Sequence, residues 1–264
     1  MNKSQLYLLK LLKMKKFQFS LGIGSSGTTL NALRDKMFGN VRLIICGGAH
    51  MNPEISEEFH YLGITVLQGY GITECAPLVS VNRNRANKWN SVGLVSPHSE
   101  VKLVDGEIYV RGKNVMQGYY KQPEQTQEAF RDGWFCTGDL GEIDKDGFLY
   151  ITGRKKNIIV LDNGKNIYPE EIEDKLNNLP YVQECVVVQR EGKLYGLVYP
   201  DPELVKKNGI SIKELNETME QNRKLLNAQI PAYEQIAGII LRDEEFEKTP
   251  KRSIKRFLYA DAEV

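Results

Sequence analysis

Two short runs of apolar residues dominate the hydrophobic pattern of the first part of the chain. Residues 41–46 and 64–67 are rich in β-branched side chains, and each run has the length of a buried strand. Between them, Asn52, Pro53 and Glu54 predict a helix start, with a capping asparagine, a first-turn proline and an acidic residue near the amino end. The pattern predicts a strand–helix–strand unit whose strands are parallel and joined by a right-handed crossover.

A glycine turn is predicted after each of these strands. The first glycine turn is Gly47-Gly48-Ala49, and the second glycine turn is Gly69-Tyr70-Gly71. Glycine permits sharp turns and lets a ligand lie close to the main chain, while Tyr70 offers a flat face for a planar base. Because ligands of parallel sheets bind beyond the carboxyl ends of the strands, we expect both turns to face one crevice.

Four polar side chains suit nucleotide chemistry. Thr73 supplies a hydroxyl for a phosphate oxygen, and Glu74 supplies an oxygen ligand for Mg²⁺. Asp139 lies between glycines, where an exposed carboxylate is suited to both hydroxyls of a ribose. Arg154 follows a predicted strand and suits ribose or phosphate. Taken alone, Asp139 has the ordinary alternative of bonding within its own turn, and Arg154 that of a surface salt bridge.

Six motifs decide between these alternatives by their order and approximate spacing. They are GGA, QGYGITE, GEIYVRG, WFCTGDLG, GRKKNIIVLDNGKNIYPEEIE and EKTP. Over residues 41–259 the chain resembles the adenylate-forming acyl-CoA synthetases, above all the bacterial long-chain fatty-acid CoA ligases. The resemblance implies that a fatty acid, ATP and coenzyme A are substrates and that Mg²⁺ is required. In such enzymes the carboxylate attacks the α-phosphate of ATP to give an acyl-adenylate and pyrophosphate, and the thiol of CoA then displaces AMP.

The resemblance also assigns roles to the candidate residues. The first glycine turn would line the adenine, and Tyr70 would stack on it. Thr73 would contact the α-phosphate while Glu74 holds Mg²⁺. Asp139 and Arg154 would bind the ribose. These roles agree with phosphoryl chemistry, which needs positioning and charge neutralisation more than covalent help.

The same resemblance predicts two domains. The family hinge falls at Lys156, so residues 1–155 would form the carboxyl-terminal part of the large nucleotide-binding domain and residues 156–264 a small mobile lid. The lid has its own α/β pattern, with a helix from Pro169, a hairpin around residues 191–192 and a helix over residues 211–226. The predicted fold class is therefore α/β (α+β), a parallel βαβ unit plus a mostly β subdomain followed by the lid.

A loop of the lid carries two further candidates. By resemblance, Gly164 and Lys165 would join the active site after the lid rotates and help to admit the pantetheine arm of CoA. A plain connecting turn is an equally open alternative for this loop.

Two departures from the family pattern are clear. A Ser/Thr/Gly-rich phosphate loop ending in Pro-Lys is absent, since Leu30 follows residues 25–29 where the loop would continue. We therefore expect the chain to correspond to the carboxyl-terminal half of a ligase. In the tail, Ser253 occupies the position of the family's catalytic lysine, and Lys255, two residues on, is the candidate replacement. The alternative for Lys255 is a solvated basic run with its neighbours Lys251, Arg252 and Arg256.

Composition limits the remaining possibilities. The chain has 35 Lys and Arg against 34 Asp and Glu, which argues against a nucleic-acid partner. Four cysteines without paired spacing indicate a reducing, cytoplasmic setting. Residues 6–16 are apolar and basic but too short and charged to span a bilayer. They fit either a helix packed on a missing domain or an interfacial helix on anionic lipid, so peripheral membrane contact stays open.

The sequence thus predicts an AMP-forming acyl-CoA synthetase. Two alternatives remain open, namely a non-catalytic nucleotide-binding fragment that needs a separate amino-terminal half, and an adenylating enzyme that loads a carrier protein. A shortened sheet would expose apolar surface, so we also expect self-association or a partner.

Overall fold

A computed structural model describes residues 28–48, 51–161, 164–250 and 253–259 of the chain. These residues divide into two compact units, one ending at Ile151 and the other beginning at Thr152. Ala49, the segment 6–16 and residues 25–27, 251 and 252 lie outside the described residues. Within the described ranges, none of the helices combines the length and the apolar character that crossing a membrane requires.

The first unit begins with the predicted strand–helix–strand arrangement. The strands are parallel, and Gly47 at the end of one pairs with Gly69 in the other. The side chain of Asn52 caps the intervening helix by accepting a hydrogen bond from the amide of Glu54 at 2.7 Å. This part of the sequence prediction is confirmed. The elements are α1 (Thr28–Phe38), β1 (Leu43–Gly47), α2 (Pro53–Tyr61), β2 (Thr65–Gly71), β3 (Leu78–Val81) and β4 (Leu94–Val95). The four strands form one sheet in the order β1-β2-β3-β4.

The second glycine turn lies within a strand, so the prediction of a turn there is wrong. β2 continues through Gly71, and Tyr70 pairs with Ser80 of β3. A Cβ atom on Gly71 would lie 2.1 Å from the carbonyl oxygen of Pro77, the same oxygen that accepts a hydrogen bond from the amide of Ile72 at 2.8 Å. Glycine is therefore required here by close packing of the chain against itself.

β1 is an edge strand, and the prediction that it is buried is wrong. Leu43 and Ile45 are 44% and 71% exposed, whereas Val66 and Leu67 of the neighbouring β2 are buried. The apolar run identified a strand correctly, but it carries no information about what covers each face. Apolar surface of the kind expected for this sheet is present along β1.

The rest of the first unit is mostly β-structure. The strands β5, β6, β8 and β7 pair in that order, and β9 pairs with β8. Ile108, Val110 and Leu149 are fully buried in a core that also includes Tyr70 and Phe135. The elements are β5 (Ser99–Val104), β6 (Glu107–Gly112), α3 (Pro123–Ala129), β7 (Phe130–Arg131), β8 (Trp134–Ile143) and β9 (Leu149–Arg154).

The second unit is a small α/β structure, as predicted. Its main sheet has the order β12-β13-β14, with β12 and β13 antiparallel and β13 and β14 parallel. Leu176 and Leu226, from two different helices, are fully buried in one core. The elements are β10 (Ile159–Val160), β11 (Asn166–Ile167), α4 (Pro169–Leu176), β12 (Val182–Arg190), β13 (Lys193–Pro200), α5 (Pro202–Asn208), α6 (Ile212–Asn227) and β14 (Ile236–Leu241).

Local sequence signals of the second unit are confirmed in detail. Glu191 and Gly192 both have positive φ, of 47° and 72°, which suits the two-residue turn of a hairpin. Ser211 caps α6 through a capping box with Glu214. These signals succeed because they depend on a few neighbouring residues.

Candidate nucleotide-binding site

A buried hydrogen bond joins the two most distinctive motifs of the first unit. The hydroxyl of Tyr70, on β2, donates to Oδ2 of Asp139, on β8, at 2.7 Å. The two residues are only 8% and 4% exposed. Burial, followed by the negative charge of Asp139, raises the pKa of Tyr70 well above its usual value of 10.0. The phenol therefore stays protonated and acts as a donor to the carboxylate.

The main chain around Asp139 is fixed by its neighbours. Thr137 accepts a hydrogen bond from the amide of Asp139 at 3.0 Å and donates one to the carbonyl of Ile108 at 2.8 Å. The amide of Gly138, whose φ is +71°, donates to the buried carboxylate of Glu107 at 3.1 Å. The prediction that Asp139 is an exposed carboxylate is wrong, because β8 carries it into the interior. Its assignment to ribose stays a prediction.

The burial of Tyr70 bears on its predicted stacking role. Its ring lies in the core of the first unit, beside residues such as Val79 and Leu149. With 8% of the residue exposed, most of the ring is enclosed by this core, and its stacking on the adenine stays a prediction. The hydroxyl, in contrast, has a defined partner.

Thr73 and Glu74 lie directly after β2, in a short 3₁₀ turn that ends at Ala76 with a φ of 54°. Thr73 is exposed and Glu74 is partly buried. The hydroxyl of Tyr119 donates to Oε1 of Glu74 at 3.1 Å, and the amide of Met116 donates to the main-chain oxygen of Glu74 at 2.7 Å. The turn thus presents one exposed hydroxyl and one oriented carboxylate.

Tyr119 is a further candidate residue, which the sequence analysis missed. It is half-buried, and burial followed by the charge of Glu74 raises its pKa. Since 45 residues separate the two, no local pattern could have connected them.

One carboxylate is enough for the predicted magnesium role. Mg²⁺ is usually held by one or two carboxylates together with substrate phosphates and water, rather than by an all-protein cage. The parts of the chain that the structure describes hold no group of three or more His, Cys, Asp or Glu side chains able to share a metal ion. Glu74 therefore fits a substrate-bridged magnesium and not a preformed metal centre.

The first glycine turn adjoins this region through strand pairing. Gly47 ends β1 opposite Gly69, and Gly48 follows with a φ of +84°. The carboxyl end of β1 is thus next to the strand that carries Tyr70, as parallel pairing predicted.

The remaining candidates follow Ile151, where β9 passes from the first unit into the second. Arg154 ends β9 and is exposed, and Lys156 is exposed in the 3₁₀ turn that follows. Gly164 is exposed with a φ of +77°. The ammonium group of Lys165 lies 4.1 Å from the ring centroid of Tyr233, within cation–π range.

The tail residues are held by acidic partners. Nζ of Lys255 lies 3.0 Å from Glu247, with its side chain 34% exposed. The next residue, Arg256, forms an ion pair with the buried Glu173 of α4. Ser253 is exposed, and its amide donates to the hydroxyl of Thr249 at 3.2 Å. The alternative of a purely solvated basic run is therefore wrong for Arg256.

Two family models match the chain. Residues 7–120 match the AMP-binding enzyme model, and residues 156–261 match the model of the AMP-binding enzyme C-terminal domain. Together these matches cover most of the sequence.

Curated relatives include ligases of fatty and aromatic acids. The chain is 41% identical to a long-chain-fatty-acid–CoA ligase of Mycobacterium bovis over 173 residues, which are 65% of this chain and 29% of the relative. It is 35% identical to a long-chain-fatty-acid–CoA ligase of Escherichia coli over 257 residues, 88% of this chain and 46% of the relative. A feruloyl-CoA synthase of an Amycolatopsis species is 38% identical over 59% of this chain and 34% of its own length. The chain thus spans less than half the length of each of these relatives.

Solved structures of adenylate-forming enzymes share the fold. The o-succinylbenzoate CoA synthetase of Bacillus subtilis in complex with its acyl-adenylate has a TM-score of 0.71 and 27% identity, covering 89% of this chain and 50% of that one. ATP-bound MatB of Rhodopseudomonas palustris has a TM-score of 0.69 and 27% identity, covering 85% and 46%. The motifs, both family models and these structures agree: the chain belongs to the AMP-binding enzyme family.

Proposed function

We propose that this chain provides the nucleotide-binding region and the lid of an AMP-forming acyl-CoA synthetase whose acid substrate is a fatty acid. The observation that carries the proposal is the buried Tyr70–Asp139 hydrogen bond, which joins two nucleotide motifs that lie 69 residues apart. A long-range bond of this kind holds the ribose candidate beside the strand that leads into the Thr73–Glu74 turn. The names of two relatives, both long-chain-fatty-acid–CoA ligases, support the acid class.

The reaction consists of two displacements. A carboxylate oxygen of the acid attacks the α-phosphorus of ATP, and the bond from that phosphorus to pyrophosphate breaks. The sulfur of CoA then attacks the acyl carbonyl carbon, the bond to AMP breaks, and the thiol proton passes to solvent. Both steps require that the nucleotide stays fixed while its reacting group is exposed.

Different residues of the first unit would bind different parts of the nucleotide. Asp139 accepts hydrogen bonds from the ribose hydroxyls, and Thr73 donates to an oxygen of the α-phosphate. Glu74, oriented by Tyr119, would hold Mg²⁺, which neutralises phosphate charge when bound. The main chain of Gly47 and Gly48 would border the adenine.

Residues 156–264 would act as the lid. We place its hinge at Lys156, an exposed residue at the first position of the carboxyl-terminal family match. Gly164 and Lys165 would approach the thioester-forming site, and Arg154 would add to ribose binding. Lys156→Pro should slow thioester formation and spare adenylation, because proline restricts the main-chain rotation that a hinge needs. Equal slowing of both half-reactions in single-turnover assays would overturn this assignment.

One observation favours a second function. Ser253 occupies the position at which the resemblance implies a tail lysine, so this chain would bind the nucleotide and depend on a separate amino-terminal half for the chemistry. The exposed Leu43 and Ile45 of β1 offer an apolar edge for such a half.

Mass spectrometry can separate these functions. The purified chain is incubated with Mg-ATP, fatty acids of graded length and either CoA or a pantetheinylated carrier protein, with and without the separately purified amino-terminal half of the E. coli relative. Acyl-CoA from the chain alone supports the full ligase. If acyl-CoA forms only after the amino-terminal half is added, the chain is one part of a divided enzyme. If the carrier protein is acylated and no acyl-CoA forms, the acceptor is a carrier protein and not CoA. If no arm forms product and the chain does not bind AMP in calorimetry, the proposal fails.

A further inference from the structure

The turn that carries Thr73 and Glu74 has little structure of its own. It is a short 3₁₀ turn between β2 and β3, and its internal hydrogen bonds join main-chain groups only three residues apart. Such short turns have poor hydrogen-bond geometry, so they hold a side chain in place only weakly. The further support of this turn comes from residues 114–119, which connect β6 to α3.

The first part of this segment binds the main chain of the turn. Nδ2 of Asn114 donates to the main-chain oxygen of Cys75 at 2.9 Å and to that of Leu78 at 3.0 Å. The amide of Met116 donates to the main-chain oxygen of Glu74 at 2.7 Å. The carbonyl groups from Glu74 to Leu78 are therefore held by donors that lie almost 40 residues further along the chain.

The end of the segment binds a side chain instead. The hydroxyl of Tyr119 donates to Oε1 of Glu74 at 3.1 Å, and the amide of Tyr119 is itself held by Oγ1 of Thr126 at 2.9 Å. Among the described residues, Oε2 of Glu74 has no protein partner, and the residue is partly exposed. A tyrosine hydroxyl carries no charge, so it orients the carboxylate without neutralising it. This arrangement suits a carboxylate that shares Mg²⁺ with substrate phosphates.

The GEIYVRG motif leads directly into this segment, and its last glycine makes room for the segment's asparagine. A Cβ atom on Gly112 would lie only 2.6 Å from Oδ1 of Asn114. The same Oδ1 accepts a hydrogen bond from the hydroxyl of Ser99 at 3.2 Å, so the amide group is held with its nitrogen toward the turn. The motif thus places a donor where the turn needs one.

We infer that the 114–119 segment positions the Thr73–Glu74 turn for phosphate and Mg²⁺, with Tyr119 as the positioning residue for the carboxylate and Asn114 for the main chain. The inference rests on the proposed function and extends it from the residues that would touch the nucleotide to those that hold them. It also gives the GEIYVRG motif a role in the nucleotide site.

The experiment is calorimetry of the full chain with ATP, in Mg²⁺ and in EDTA. The ratio of the two affinities is the gain in ATP affinity that Mg²⁺ provides. Tyr119→Phe should lower this gain about fivefold, the loss that corresponds to one hydrogen bond, and leave the affinity in EDTA within about twofold of wild type. In a Glu74→Gln background, Tyr119→Phe should lower the gain no further.

Asn114→Ala should act differently, because a displaced turn moves Thr73 as well as Glu74. The affinity for ATP in EDTA should fall about fivefold. In a Thr73→Val background, where the hydroxyl for the phosphate is already gone, Asn114→Ala should cause little further loss in EDTA.

The matched control for Tyr119 is Tyr150→Phe. Tyr150 is also partly buried in the first unit, and its hydroxyl donates to a carboxylate, that of Asp144, at 3.0 Å. The control removes a hydrogen bond of the same kind, and both ATP affinities should remain unchanged. Thermal unfolding of each variant shows whether the fold is intact.

Four results would overturn all or part of the inference. If Tyr119→Phe leaves the gain from Mg²⁺ unchanged, its hydroxyl does not position Glu74. If Asn114→Ala lowers affinity equally with and without Thr73, Asn114 does not act through the turn. If wild type shows no gain, Glu74 holds no Mg²⁺, although nucleotide binding stays in place. If wild type does not bind ATP at all, the proposed function fails together with the inference.

Discussion

Two buried carboxylates, one in each unit, show how similar burial can serve different ends. Asp139 and Glu173 are 4% and 7% exposed. Asp139 receives the hydroxyl of Tyr70, a donor that brings no charge. Glu173 receives the amide of Val187 at 2.6 Å and the guanidinium of Arg256. The contact to Arg256 ties the tail to α4, whereas the contact to Tyr70 joins β2 to β8 without supplying positive charge.

The difference also appears in titration behaviour. Burial raises the pKa of Glu173 from 4.5 to about 8, although Arg256 and the amide of Val187 act in the opposite direction. Burying a carboxylate is costly even when a cation is nearby, since the loss of hydration must be offset by the ion pair. Glu173 is therefore the carboxylate whose removal should affect the fold more than the ligand.

The largest expected effect is on stability, from Glu173→Ala. Removing Glu173 leaves the amide of Val187 and the guanidinium of Arg256 without their buried acceptor, and losses of this kind reach about 3 kcal/mol in the free energy of unfolding. Urea denaturation of the chain measures the loss. A matched variant is Glu173→Leu combined with Arg256→Met, which removes both charges and should recover part of it. A loss below about 1 kcal/mol for Glu173→Ala would mean that the pair contributes no more than a surface contact.

The second prediction concerns pH. Because the pKa of Glu173 is raised in the folded chain, folding favours its protonated form, so its contribution to stability is largest below pH 4.5 and declines as the pH rises through about 8. The unfolding free energy of wild type minus that of Glu173→Gln should fall between pH 5 and pH 8, by at most about 1.4 kcal/mol per pH unit. A difference that grows with pH would show that the ion pair with Arg256 outweighs burial.

These side-chain pairs mark the limit of what the sequence could predict. The Asn52 helix cap, the Glu191–Gly192 hairpin and the parallel pairing of β1 with β2 followed from neighbouring residues, and the structure confirms them. Glu173 and Arg256 are 83 residues apart, and Tyr70 and Asp139 are 69 apart, so their pairing depends on the complete fold. The exposure of β1 was missed for the same reason, because an apolar pattern does not reveal the strand's neighbours.

Asp139→Asn gives the third prediction. The amide keeps an oxygen that Tyr70 can bond, so the fold should lose less stability than in Glu173→Ala, about 1 kcal/mol. AMP affinity should fall about tenfold, because a neutral amide accepts ribose hydrogen bonds less strongly than a carboxylate does. Asp105→Asn is the control, since Asp105 is exposed in a turn with a φ of 51° that asparagine also tolerates. Unchanged AMP affinity in Asp139→Asn would show that Asp139, like Glu173, contributes to the fold and not to nucleotide binding.

The smallest effect on stability is expected at Lys255, the neighbour of Arg256. Its ion pair with Glu247 is exposed, at 34% and 65% of the two side chains, and such pairs contribute about 0.5 kcal/mol. Lys255→Ala should therefore unfold almost as wild type does, while Arg256→Ala loses considerably more. Adenylation by the complete enzyme, followed as pyrophosphate release, then decides the role of Lys255. If adenylation slows while stability is intact, Lys255 takes the role of the lysine that the family carries at the position of Ser253. Unchanged rates would mean that Arg256 anchors the tail and that Lys255 is only a surface charge.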